Sequence, residues 1–178
     1  MVSKTLIKLI DEGIFPAIFL IIAKMAGLLF AGYFLDLSFS LKIGGALKVL
    51  PSLSFENLQD YIVAENYSNL AMFLAASAGT IQVLIRAHFF HESHIHPNFQ
   101  SKLYKLNLQS LISPTYHLYH QAAIWLMFLW LTVGYLIISS FIKVTYLQIA
   151  VIAFVVAANF TWVFAVDVEK EIELSGQK

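Results

Sequence analysis

The sequence predicts an all-α protein, an integral membrane bundle of four transmembrane helices, and three observations lead there. Hydrophobic residues make up 59% of the 178-residue chain and charged residues only 12%, outside the range of ordinary soluble domains. Four stretches reach or approach the roughly 20 apolar residues that a helix needs to cross a hydrocarbon core. No remaining segment is large enough to cover four apolar helices in water, so lipid is the expected surrounding. The length suits one domain, and residues 1–178 are read as a single transmembrane domain.

The first span is placed at residues 14–35. Its apolar run is too long for the core of a cleaved secretory signal, so it reads as a retained helix. Lys24 lies about ten residues into it, roughly 15 Å deep at the helical rise. A lysine at that depth is costly unless it snorkels, pairs or meets water, which makes it a functional candidate. Ser77, Thr80 and Gln82 of the second span and Asn159 of the fourth reach neighbouring depths and are its expected hydrogen-bond partners; no carboxylate is expected there. Lys24, Gln82 and Asn159 are therefore the intramembrane polar candidates. Ala23, Gly27 and Ala31 recur every four residues, as do Ala75 and Gly79, a spacing that lets helices approach closely.

Residues 36–69 form a long connection. Within it Phe55, Leu58, Tyr61 and Ile62 stand at helical spacing with acidic residues between them, the pattern of a short interfacial helix. The second span follows at 70–90. A second interfacial helix is predicted in the 97–113 connection, where Pro97 starts a stripe of Phe99, Leu103, Leu106 and Ser110. The third and fourth spans are placed at 118–141 and 146–166. Beyond them Asp167, Glu169, Glu171 and Glu173 form an acidic run of a kind usually solvated.

Four crossings put both termini and the connection between the second and third spans on one side, here side A. Side A carries Lys4, Lys8, Arg86, Lys102, Lys105, Lys170 and Lys178, whereas side B carries Lys42, Lys48 and Lys143. Cytoplasmic segments are enriched in lysine and arginine, so both termini are predicted to be cytoplasmic.

All six histidines fall between His88 and His120. His88 and His91 are three apart at the end of the second span, and His117 and His120 are three apart at the start of the third. Residues at i and i+3 share a helix face, so four imidazoles are predicted to converge on side A. His94, His96, Glu92 and Asp167 are the further candidate ligands. Such a set suits a transition metal, zinc or iron, and points to metal handling or metal-dependent membrane redox chemistry. A b-type haem ranks below a metal ion, because these histidines lie at the rim and bis-histidine haem ligands usually sit deeper in their helices. Clustered imidazoles also suit proton sensing, which needs no cofactor, and an interfacial imidazole with one wet edge needs no ligand at all.

Other chemistries find no support in the residues. With no cysteine, disulfides and thiolate ligands are excluded. Neither a nucleotide-binding glycine loop nor a Gly-x-Ser-x-Gly elbow is present, and Ile95 stands where a His-Glu-x-x-His protease helix starting at His91 needs its second histidine. Membrane di-iron hydroxylases also gather histidines at a bundle rim, but with adjacent His-His pairs, and none occurs here. A net charge of zero with a single arginine argues against nucleic acid. The expected partners are the lipid bilayer and either other membrane subunits or further copies of the chain. Two alternatives to the metal reading stay open: a non-catalytic subunit of a larger complex, and a proton-linked channel or transporter component.

Overall fold

The computed structural model describes residues 4–42, 52–89, 97–106 and 115–176. In chain order they form α1 (Lys4–Phe34), β1 (Phe39–Lys42), β2 (Ser52–Phe55), α2 (Leu58–Phe89), α3 (Pro97–Lys105), α4 (Thr115–Phe141) and α5 (Leu147–Gly176). The fold is all-α with four helices long and apolar enough to cross a membrane, over Glu12–Phe34, Leu58–Phe89, His117–Phe141 and Leu147–Glu173.

α2 and α4 pack on each other, and each also packs on both α1 and α5, which are left as the outer helices. The outer helices turn apolar side chains outward, among them Ile14, Ile18 and Ile22 on α1 and Val151, Ile152 and Val155 on α5. Helices satisfy their own backbone hydrogen bonds, so such a surface is at home in hydrocarbon. The core is small and interdigitated: Leu20 and Phe73 meet Leu129, Val133 and Leu136, while Ala150, Ala153 and Ala157 bring α5 close.

The small-residue rows are packing surfaces inside the bundle. A Cβ on Gly27 would lie 2.7 Å from Ala71 Cβ and 2.8 Å from Ser68 Cα, so α1 and α2 touch backbone to backbone there. On Gly79 it would meet the Trp125 ring at 2.1 Å. Trp125 fills that notch and also packs edge-on against Phe15 and Phe19 of α1.

The helix predicted at Phe55–Ile62 is not a separate surface element. It is the opening turn of α2, which runs unbroken for 32 residues from Leu58, so the second span starts about three turns earlier than hydropathy places it. Asn57 caps it, its Oδ1 accepting the Asp60 N–H at 2.7 Å. The 36–69 connection instead holds an antiparallel hairpin with Phe39 opposite Phe55 and Lys42 opposite Ser52. Asp36 and Lys143 take positive φ values of 51° and 61°. They end α1 and α4, with Leu37 N–H on Gly32 O and Val144 N–H on Ser139 O closing the last turns. α3 appears at the start of the predicted segment; Leu103 is buried, Leu106 falls past the helix end and is exposed, and Ser110 lies outside the described residues.

Candidate functional site

One stripe of α2 runs through the centre of the bundle: Glu65, Asn69, Phe73, Ala76, Thr80, Val83 and Ala87 are all buried. Steps of three and four residues keep them on one face. The stripe is polar at its side-B end and apolar in the middle. Opposite its polar end stands Lys24 of α1, whose ammonium group is paired with Glu65 Oε1. The same ammonium donates to Asn69 Oδ1 at 2.7 Å and sits 5.0 Å from the centre of the Tyr135 ring. Tyr135 on α4 donates its hydroxyl to Glu65 Oε1 at 3.0 Å.

The network extends to the α4–α5 turn. Asn69 Nδ2 donates to Thr145 Oγ1 at 2.6 Å. Neighbouring Asn66 donates to Ile62 O and Val144 O and accepts the Tyr146 N–H at 2.7 Å. Ser68 Oγ donates to the Lys24 carbonyl at 2.8 Å, tying the two backbones at the pair itself. The Glu65 side chain is 8% exposed and that of Lys24 25%. A charge pair this dry needs supporting hydrogen bonds; Asn69 accepts one from the ammonium group and Tyr135 donates one to Oε1.

The expectation that Lys24 has no carboxylate at its depth is corrected by Glu65. The other expected partners lie elsewhere. Ser77 is buried on α2 toward side A, Thr80 bonds the Ala76 carbonyl of its own helix, Gln82 is exposed, and Asn159 bonds Val155 O on the exposed face of α5. Glu65 was hidden because Glu65, Asn66, Ser68 and Asn69 lower the hydropathy of their segment, which then reads as loop. The readable signal was the four-residue spacing of Tyr61, Glu65, Asn69 and Phe73, which is helical.

At the side-A end the described histidines have carboxylate partners, but different ones. His117 Nδ1 and His120 Nε2 each approach Glu12 of α1 at 3.3 Å, and Gln121 Nε2 lies 3.1 Å from His117 Nε2. His88 Nδ1 lies 2.8 Å from Asp167 Oδ1 on α5, and Tyr119 donates to Asp167 Oδ2 at 3.0 Å. His117 and His120 share a face as predicted. His88 is turned toward α5 rather than toward them, so the three do not form one cluster. Among the described residues no group of three or more histidine, aspartate or glutamate side chains is arranged to hold a metal ion. His91, Glu92, His94 and His96 lie outside the described residues.

Between α1, α2 and α4, above Glu12, lies a cavity of about 270 Å³ lined by Glu12, Phe15, Pro16, Gln82, Val83, Arg86, Gln121, Ile124 and Trp125. Apolar packing of Leu20, Phe73, Leu129 and Val133 separates it from the Lys24–Glu65 network.

Fold and site together define a class: an all-α protein with four membrane-length helices, a charge pair held between two of them, and histidine–carboxylate contacts at one end. Compared with protein-family models, curated proteins and solved structures, the chain finds no match.

Proposed function

We propose that this protein is a proton-linked membrane component, acting with other membrane subunits or further copies of itself, with side A toward the cytoplasm. The observation that carries the reading is the Lys24–Glu65 pair inside candidate spans. Ionisable residues at such positions are expensive and characteristically belong to ion or proton pathways. Two further features support it. The rim contacts of His117 and His120 with Glu12, and of His88 with Asp167, add imidazole–carboxylate contacts of a kind that can hand on a proton. The apolar packing of Leu20, Phe73, Leu129 and Val133 between the two polar regions is a barrier of the kind that prevents free proton leak. Four helices are few for a transporter, which is why assembly is part of the reading.

The test is proton flux into liposomes that hold the purified protein and a trapped pH dye, driven by a potassium diffusion potential. Wild-type protein is expected to admit protons, and Glu65→Gln, which keeps the shape and hydrogen-bonding reach of the side chain, to lose most of that flux. Flux equal to that of empty vesicles, or unchanged in Glu65→Gln, removes the proposal.

A second reading retains zinc or iron at the side-A rim. Its support is the approach of two imidazoles to one carboxylate at Glu12, a donor set that such ions take, to which His91, Glu92, His94 and His96 would add. Elemental analysis and an absorption spectrum of protein never exposed to nickel decide it. Near-stoichiometric metal, lost when His117 and His120 become alanine, supports it; a Soret band replaces the metal ion with haem; metal-free, colourless protein ends it.

A further inference from the structure

We propose that the cavity between α1, α2 and α4 binds an amphiphilic anion, an acidic head group on an apolar chain, with Arg86 as the residue that recognises the head. This inference stands apart from the proton-linked reading and rests on different residues.

Arg86 is the only arginine in the sequence. It lies in the last turn of α2 and lines the cavity, and its Nε is buried without a hydrogen-bond partner among the described residues. A guanidinium always carries its charge, and its fork of N–H donors matches carboxylate or phosphate oxygens. A buried donor left unmet is destabilising, so an anion that reaches Nε removes a penalty as well as adding a contact. Glu12, the acid in the same lining, is approached by His117 and His120 at 3.3 Å each.

The rest of the lining describes the remainder of the ligand. Gln82 and Gln121 put amide groups in the same lining, whereas Phe15, Pro16, Val83, Ile124 and Trp125 form an apolar wall. At about 270 Å³ the space falls just below the roughly 300–1,000 Å³ of pockets that enclose a drug-sized molecule. It therefore suits a head group and the first part of a chain. Arg86 stands in the last turn of α2, so the head of such a molecule would face the side-A rim. The shared chemistry has two sources, a free fatty acid or an acidic phospholipid.

Trp125 lies in the cavity wall and reports occupancy. In a Trp130→Phe, Trp162→Phe background it is the only tryptophan, and a bromine-labelled fatty acid that enters will quench it. Saturable quenching is expected for the acid, with at least tenfold weaker binding of the brominated alcohol of equal length. Arg86→Gln is expected to weaken the acid about 10- to 100-fold, as loss of a charged hydrogen bond implies, and to leave the alcohol unchanged. Acidic phospholipid in nanodiscs that displaces the acid assigns the site to lipid; displacement by free fatty acids but not by lipid assigns it to a free acid. Non-saturable quenching, or equal binding of acid and alcohol to the unmutated cavity, overturns the proposal even if Arg86→Gln fails to fold.

Discussion

The ammonium group of Lys24 and the carboxylate of Glu65 face each other across the α1–α2 contact, 41 residues apart in sequence, with Asn69 and Tyr135 adding one hydrogen bond to each. Each charge makes the other tolerable in an apolar bundle. Removing one therefore differs from removing both.

Glu65→Leu or Lys24→Met alone is expected to destabilise the folded protein by about 3–5 kcal/mol, because the remaining charge stays buried without its partner. The double variant should recover most of that loss. Unfolding in mixed micelles, followed by helicity, measures all three. Losses that simply add would show that the two residues do not act as a pair.

Gly79 leaves a notch that the Trp125 ring occupies, with 2.1 Å to any added Cβ. Gly79→Val is expected to cost about 1–3 kcal/mol through overpacking and to change Trp125 emission as the ring is displaced. Trp125→Leu in the same chain should relieve part of the cost. A Gly79→Val protein with unchanged stability and emission would contradict this packing.

Asn66 uses both ends of its amide to hold the α4–α5 turn on α2. Asn66→Leu keeps the volume but leaves the Tyr146 N–H without its acceptor and Val144 O without its donor. A loss of about 1–3 kcal/mol in all is expected, since these groups are only part-buried. Because the same turn carries Thr145, which binds Asn69, the variant should also weaken proton flux in the liposome assay.

With no cysteine in the sequence, single introduced thiols report sidedness directly. Ser101→Cys on α3 and Glu56→Cys beside β2 lie at opposite ends of the bundle. A membrane-impermeant maleimide applied to intact cells should label Glu56→Cys and spare Ser101→Cys. The reverse pattern would invert the orientation inferred from the lysines, and equal labelling would dispute the four crossings.

The number and approximate place of the spans were legible because lipid solvation is a property of composition, and a run of apolar residues long enough to cross a bilayer needs no tertiary partner to be recognised. The close-packing glycines were legible for a similar reason: Gly27 and Gly79 sit in four-residue rows of small side chains. The i, i+3 geometry likewise placed His117 and His120 on one face.

What tertiary structure decided was which polar groups meet. Hydropathy averages along the chain, so it assigned Glu65, Asn66 and Asn69 to a loop. In the fold they are the inward face of a membrane-length helix, made tolerable by Lys24 from one direction and by Tyr135 and Thr145 from the other. Nor did spacing say that His88 would turn to Asp167 on α5 while His117 and His120 turned to Glu12 on α1. Those choices depend on how four helices are rotated and set beside one another. Rotation is determined by steric fit at contacts such as Gly27 with Ala71 and Gly79 with Trp125, which no single segment contains.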